Sequence, residues 1–300
     1  MLLMDHPERL STDIDIIVEP ETPIDEYIHL ASVVFPFVRY DEQKRIGKNR
    51  IEKRHIKFTY YSPINRREFY IMLDILFEEN LYPSIEERPI KNELLITEHE
   101  DTYVHVPDVN CILGDKLTAF APHTIGIPIN IGKDMEVVKQ FYDVCSLLDV
   151  FTDIDIVSKT YVSVAEAEVA YRGIKIDALE SLRDTFWTSA CIASRGKFRG
   201  DEYPLYVKGV RDLRNHIYSE NYSSEIAAVR AAKVMYLVAC LVSGTSYERP
   251  NKLFDYANAK LTQECLIPLQ YLKKVSLESY SYVVESDQLM KALKENGIKL

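Results

Sequence analysis

The chain has 300 residues, of which 47% are hydrophobic, and a formal net charge of −10. That length accommodates one large domain or two ordinary ones, and the hydrophobic fraction favours a folded core over disorder. The acidic balance excludes a general basic nucleic-acid binder, although it allows a local basic patch. The five cysteines are far apart without Cys-x-x-Cys spacing, which predicts reduced thiols rather than disulfides or a zinc site.

Targeting and nucleotide-loop signals are weak or missing in this sequence. The opening MLLMDHPERL has no apolar stretch of signal-peptide length, and no long uncharged apolar run predicts a membrane-spanning helix. A glycine-rich phosphate loop is also missing, which excludes P-loop and Rossmann sites. We therefore expect a cytoplasmic protein that makes no membrane contact.

The first third of the chain predicts strands around one helix. Residues 14–19, IDIIVE, are β-branched and precede the stop PETP, and residues 24–38, IDEYIHLASVVFPFV, predict a helix that ends near Pro36. Residues 52–63 alternate, with Ile56, Phe58 and Tyr60 on one face. Residues 69–79, FYIMLDILFEE, are typical of a central strand covered on both faces. The turn-like PINRRE between these two strands predicts an antiparallel pair.

From about Cys111 the apolar residues recur at helical spacing, most clearly in residues 133–151, KDMEVVKQFYDVCSLLDVF. A Ser-x-x-Glu capping box, Ser163 to Glu166, predicts the start of another helix. We expect a break near Pro268. The fold class is therefore α+β, with a small mixed-sheet domain over residues 1–120 followed by an all-helical domain over residues 121–300.

The sequence TDIDI occurs twice, at residues 12–16 and 152–156. On a strand, Asp13 and Asp15 project from one face, and a divalent cation relieves the repulsion between their charges. The alternative is an exposed strand end with two solvated aspartates. In the second copy Asp153 and Asp155 lie between helical patterns, which predicts helix-end or N-cap residues.

Asp74 is the single charged residue in FYIMLDILF. Burial of a lone carboxylate costs several kcal/mol unless it is paired or binds metal. If this strand lies beside the first, three carboxylates converge, as a two-metal phosphoryl-transfer site requires. The alternative is an ion pair between Asp74 and a basic neighbour such as Lys57 or Arg67.

Five segments in order resemble the AbiEii/AbiGii-type nucleotidyltransferases, the toxin-like branch of the polymerase-β nucleotidyltransferase superfamily. They are RLSTDIDI (9–16), RHIKFTYYS (54–62), FYIMLDILFE (69–78), LGDKLTAFAP (113–122) and KDMEVVKQFYDVCSLLD (133–149). The resemblance covers roughly the first half of the chain. It implies a nucleotidyltransferase domain that uses a nucleoside triphosphate and Mg²⁺, with two ions expected, tRNA as a candidate acceptor and a cognate antitoxin as a candidate partner.

The resemblance also implies roles for individual residues. Asp13 and Asp15 match the paired metal ligands, and Asp74 would be the third metal-binding carboxylate and the base for the incoming hydroxyl. Lys116 matches the phosphate-facing lysine, and Asp143 matches an aspartate that supports catalysis by orienting that lysine.

Nucleotide contacts are implied for Ser11 and Lys57, together with the phosphate-facing lysine. Family members carry a glycine-rich segment before the first strand, and the residues before Ser11 contain no glycine. We therefore expect either such a segment upstream of Met1 or a weakened hold on the triphosphate. The alternative function is a degenerate, non-catalytic module of the same fold that binds a nucleotide, an RNA or a protein.

Other charged residues leave two interpretations open. Lys139 and Asp143 are four residues apart on one predicted helix and could form a surface ion pair. The segment from Arg39 to Lys57 carries eight basic residues against three acidic ones and could attract a triphosphate or RNA, or could simply be a solvated strand edge. His55 is expected to lie on the polar strand face with Lys57.

Overall fold

The computed structural model describes residues 4–11, 13–46, 52–95 and 102–300. Its four-stranded sheet comprises β1 (Asp13–Val18), β2 (Phe37–Ile46), β3 (Glu52–Tyr61) and β4 (Glu68–Phe77). The strand order is β1-β4-β3-β2, with β1 parallel to β4 and the other neighbours antiparallel. The predicted α+β class with a mixed sheet is confirmed.

The apolar run at residues 69–77 forms a central strand, as its composition predicts. Its antiparallel partner is β3, also as predicted. Strand β2 was not predicted, because its charged sequence lacks an apolar alternation and it lies at the edge of the sheet.

One face of the sheet packs on helix α1 (Asp25–Val33). Ile24 and Ile28 of this helical segment join a small core with Ile56, Phe58 and Ile75 from β3 and β4. Since side chains alternate along a strand, the residues between them point to the opposite, polar face. The two aspartates of β1 lie on that polar face.

A two-stranded hairpin, β5 (Ile85–Pro89) and β6 (Tyr103–Pro107), connects the sheet to the helices. The remaining α-helices are α2 (Val109–Ala119), α3 (Asp134–Leu147), α4 (Ile154–Arg172), α5 (Ala178–Ala193), α6 (Tyr203–Leu213), α7 (Ser224–Ser243), α8 (Leu272–Val275) and α9 (Leu277–Glu295). They share one large hydrophobic core, which includes Leu113 and Leu117 of α2.

The domain boundary predicted at residue 120 stays a prediction. Pro268 lies inside a 3₁₀ segment, Glu264–Tyr271, where an α-helix would be broken.

Helix α7 is the one described helix that is long and apolar enough, by length and composition, to cross a membrane. The sequence pattern did not predict such a helix. In the structure 61% of its most apolar stretch is buried, with α5 and α9 packed against it. A central helix of a globular core has the same length and composition, so α7 is placed here as a core helix.

The second TDIDI is a helix start. The Asp153 side chain accepts hydrogen bonds from the backbone N–H groups of Asp155 and Ile156, at 2.9 and 3.2 Å. The predicted N-cap is therefore confirmed, whereas the capping box at Ser163 is wrong because Ser163 lies inside α4. The cap at Asp153 lies ten residues before Ser163, and its carboxylate satisfies N–H groups that lack helical partners.

Candidate active site

The polar face of the sheet aligns three predicted site residues. Asp15 of β1 lies directly beside Asp74 of β4, and Asp74 in turn lies beside His55 of β3. Asp13, two residues before Asp15, shares that face and is in register with Met72. The strand pairing therefore places Asp13, Asp15 and Asp74 on one face of two neighbouring strands.

Asp74 has a partner that the sequence did not identify. The Nδ1 atom of His55 lies 2.8 Å from Asp74 Oδ1, and the Asp74 side chain is 37% exposed. Neither Lys57 nor Arg67, the partners considered from sequence, forms this pair. The two-residue spacing of His55 and Lys57 indicated a shared face, but only the register of β3 and β4 shows that His55 meets the carboxylate.

Two lysines from the helical region approach the carboxylates from the opposite side. Lys139 Nζ of α3 is 4.0 Å from Asp13 Oδ2, and Lys116 Nζ of α2 is 3.9 Å from Asp143 Oδ2. Asp143 is completely buried. The interpretation of Lys139 and Asp143 as a surface ion pair is therefore wrong, because Lys139 points toward the sheet and Asp143 lies in the interior.

The buried carboxylate of Asp143 is held by Arg9. The Nε and Nη2 atoms of Arg9 donate to the two carboxylate oxygens of Asp143 at 2.6 Å each, and the Arg9 side chain is 7% exposed. The backbone N–H of Leu10 donates to the carbonyl of His216, which fixes the same segment to the helical region. Sequence reasoning missed Arg9, since 134 positions separate the pair and no local pattern connects them.

The charges of the site are mutually perturbed. Burial by surrounding protein atoms raises the pKa of Asp15, and the neighbouring carboxylates of Asp74 and Asp13 raise it further against the opposing effect of Lys116 and Lys139. The Asp15 side chain nevertheless stays open to solvent. A carboxylate whose ionisation is disfavoured by its neighbours gains free energy from an added cation.

The pKa of the Lys139 ammonium is lowered, first by burial and then by the positive charges of Arg9 and Lys116. The carboxylates of Asp13 and Asp143 act in the opposite direction. These cations partly repel one another, and a bound anion such as phosphate would relieve that repulsion.

Ser11 and Lys57 occupy the margins of the site. The Ser11 hydroxyl donates to the carbonyl oxygen of Asp13 at 3.2 Å, just before β1 begins. Lys57 shares the polar face, and its ammonium lies 4.6 Å from the centre of the Tyr70 ring. The nucleotide contacts implied for Ser11 and Lys57 remain predictions.

The donor set at the sheet suits a hard divalent cation, because carboxylate oxygens are the ligands that Mg²⁺ takes. Among the described residues, no group of three or more His, Cys, Asp or Glu side chains is placed so that the group could hold a metal ion by itself. Mg²⁺ is commonly bound by one or two carboxylates together with water and substrate phosphates, so the carboxylates present fit that mode.

The basic segment from residue 39 to 57 lies partly outside the described residues, at positions 47–51. Of its described members, Arg39 forms a two-pronged pair with Glu68, and Arg54 pairs with Glu42 and Asp25. These pairs neutralise two of its cations within the protein and favour the strand-edge interpretation over an RNA-binding patch.

Comparison with known proteins finds a matching family. The family model described as "Nucleotidyl transferase AbiEii toxin, Type IV TA system" matches residues 1–230, which is about three quarters of the chain. The match extends beyond the five resembling segments into the helical region. No curated protein and no solved structure matches the chain.

Proposed function

Because the chain belongs to the AbiEii nucleotidyl transferase toxin family of type IV toxin–antitoxin systems, we propose that it moves a nucleotidyl group from a nucleoside triphosphate to an acceptor hydroxyl. The acceptor in this proposal is an RNA, with tRNA as the first candidate, and the reaction takes place in the cytoplasm. Membership of a toxin–antitoxin family also suggests a cognate antitoxin as a partner.

The observation that carries the proposal is the register of β1 and β4. It sets Asp15 beside Asp74, with Asp13 on the same face, opposite the ammonium groups of Lys116 and Lys139. Carboxylates on one side and cations on the other are what a triphosphate needs, since its charge must be neutralised while its metal ion is held.

Asp13, Asp15 and Asp74 would hold Mg²⁺, two ions in our proposal, which when bound would stabilise the attacking and leaving oxygens. Lys116 and Lys139 would neutralise charge on the triphosphate. Since Asp74 borders the site and is open to solvent, it can receive a proton from the acceptor hydroxyl.

In the proposed reaction one bond to phosphorus forms and one breaks. The acceptor oxygen forms a bond to the α-phosphorus, and the hydroxyl proton passes to the Asp74 carboxylate. The bond between the α-phosphorus and the oxygen that bridges to the β-phosphate breaks, and pyrophosphate leaves. Buried Asp143, fixed by Arg9, keeps the Lys116 ammonium near the site throughout.

One observation favours a non-catalytic binding module as the second candidate. Within the described parts of the chain, no three acidic, histidine or cysteine side chains are placed to hold a metal ion together. A module that only binds a nucleotide, an RNA or a protein would need no such group.

Transfer of label from each of the four α-labelled nucleoside triphosphates to total tRNA, with Mg²⁺, distinguishes the two candidates. We expect transfer by the natural chain and none by the double variant Asp13→Ala/Asp15→Ala. Asp155→Ala, in the second TDIDI, is the matched control and should retain activity because Asp155 is exposed at the start of α4. Transfer that survives in the double variant would refute the catalytic assignment, and nucleotide binding without transfer would favour the module.

His55 should affect the rate of this reaction through Asp74. In His55→Ala the Asp74 carboxylate loses its 2.8 Å partner and can rotate, so we expect kcat to fall about 10–100-fold, as is usual when the partner of a metal-binding side chain is removed. KM for the triphosphate should change little. His55→Gln retains a hydrogen-bonding amide and should recover part of kcat. An unchanged kcat in His55→Ala would contradict a positioning role.

A further inference from the structure

A cavity lies on the same polar face of the sheet as the three carboxylates, further along β1 and β4. Its floor includes Ile17 and Leu76, which are neighbours in the β1–β4 pairing and lie two residues beyond Asp15 and Asp74. Residues two apart on a strand share a face and are separated by about 7 Å. Val164 of α4 contributes to the helical side. The cavity therefore lies next to the carboxylate site on the same face of the sheet.

The polar part of the cavity wall is rich in hydrogen-bond acceptors. Glu78, Asp115 and Glu168 all line it, and ionised carboxylates accept hydrogen bonds but donate none. The Nε atom of Arg172 donates a hydrogen bond to Glu168 Oε2 at 3.2 Å. The cation in the lining, Lys53, has its ammonium 4.1 Å from the centre of the Tyr171 ring. Glu78 and Asp115 are thus the acceptors best placed to meet a ligand.

Burial raises the pKa of Asp115 and of Glu78, against the opposing charges of Lys116 and Lys53 respectively, and the charge of Glu168 raises both further. The ionised form of each carboxylate is thus disfavoured in the empty cavity, and a hydrogen-bond donor from a ligand would stabilise it. Burial also raises the pKa of Tyr82, which lines the cavity and lies close enough to both Asp115 and Asp15 to be affected by their charges. Tyr82 therefore lies between the cavity and the carboxylate site, within range of the charges of both.

We propose that this cavity holds the nucleobase of the incoming nucleoside triphosphate, and that Glu78 and Asp115 select bases with an exocyclic amino group. The inference rests on the proposed nucleotidyl transfer. Apolar walls with a few placed polar groups are typical of small-molecule sites. Guanine, adenine and cytosine each carry an amino group that can donate to a carboxylate. Uracil carries a carbonyl oxygen where cytosine carries its amino group, and its N3–H donor lies between two such oxygens, which carboxylates would repel.

The direct test is equilibrium binding of ATP, CTP, GTP and UTP to the full chain, without RNA and with Ca²⁺ in place of Mg²⁺ so that no triphosphate is consumed. We expect at least one of the three amino-bearing nucleotides to bind at least about tenfold more tightly than UTP, since a hydrogen bond to a charged acceptor discriminates by at least that factor. In Glu78→Gln and Asp115→Asn the preference should shrink, because the new amide group offers a donor as well as an acceptor.

Glu79→Gln is the matched control, since Glu79 is exposed, next to Glu78 and outside the cavity lining. It should keep the wild-type preference, and thermal melts of all three variants check their folding. Equal binding of all four nucleotides, or a preference unchanged in Glu78→Gln and Asp115→Asn, overturns this inference and leaves the proposed transfer standing. Failure of the natural chain to bind any nucleotide overturns the proposed function as well.

Discussion

Asp15→Asn is expected to abolish nucleotidyl transfer and at the same time to stabilise the metal-free protein. The first effect follows from the loss of a carboxylate that would hold Mg²⁺, which should lower the transfer rate by about 10²–10³-fold or more. The second follows from the raised pKa of Asp15, since its charge is disfavoured in the folded state by burial and by Asp74 and Asp13. An asparagine of the same shape removes that charge.

The stability that Asp15→Asn gains over the natural chain should depend on pH. Because the folded-state pKa of Asp15 lies above its ordinary value of 3.8, the ionised carboxylate lowers the unfolding free energy as pH rises through the window above 3.8. The advantage of Asp15→Asn should therefore vanish below that window and be complete at neutral pH. We expect Asp15→Asn to raise the unfolding free energy at neutral pH by less than about 1 kcal/mol, since solvent screens the open side chain. The corresponding rise in Tm is about 1–2 °C.

Thermal melts at pH 7 with and without Mg²⁺ check both effects. Mg²⁺ should raise the Tm of the natural chain, because a bound cation relieves the repulsion, and should do so much less in Asp15→Asn. Asp155→Asn in the second TDIDI should change neither activity nor the response to Mg²⁺. Wild-type transfer by Asp15→Asn, or an equal Mg²⁺ response in both proteins, would contradict the metal-ligand role.

The sequence predicted the sheet face of the site because that information is local. Alternation puts Asp13 and Asp15 on one face, and the isolated charge of Asp74 in an apolar run indicates a carboxylate with a special partner. The same reasoning separated the two copies of TDIDI, since the second copy has only helical neighbours and became the cap of α4.

Contacts between distant parts of the chain could not be predicted in this way. The pairing of His55 with Asp74 depends on the register of two strands, and an error of one residue would have put His55 on the other face. The approach of Lys139 to Asp13 depends on how α3 packs against the sheet. Strand β2 was missed because edge strands tolerate charge and so lack the apolar signal of a central strand.

Arg9→Ala is expected to be among the most destabilising single substitutions in the protein. It would leave the carboxylate of Asp143 fully buried without the two 2.6 Å hydrogen bonds that now satisfy it. Removal of one partner of a buried ion pair costs about 3–5 kcal/mol, a large part of the 5–15 kcal/mol by which a typical domain is stable. Arg9→Lys keeps the charge but only one of the two hydrogen bonds, so its stability should lie between that of the natural chain and that of Arg9→Ala.

Chemical denaturation at pH 7 measures this loss, and Arg39→Ala provides the matched control. Arg39 forms the same two-pronged geometry with Glu68, at 2.8 and 2.9 Å, but both side chains are nearly half exposed, so water screens the pair and its removal should cost far less than the removal of Arg9. The double variant Arg9→Ala/Asp143→Asn should regain part of the stability lost in Arg9→Ala, because the buried group is then neutral. Equal losses for Arg9→Ala and Arg39→Ala would show that the Arg9–Asp143 pair does not fix the helical region to the start of β1. The position of the Lys116 ammonium would then need another explanation.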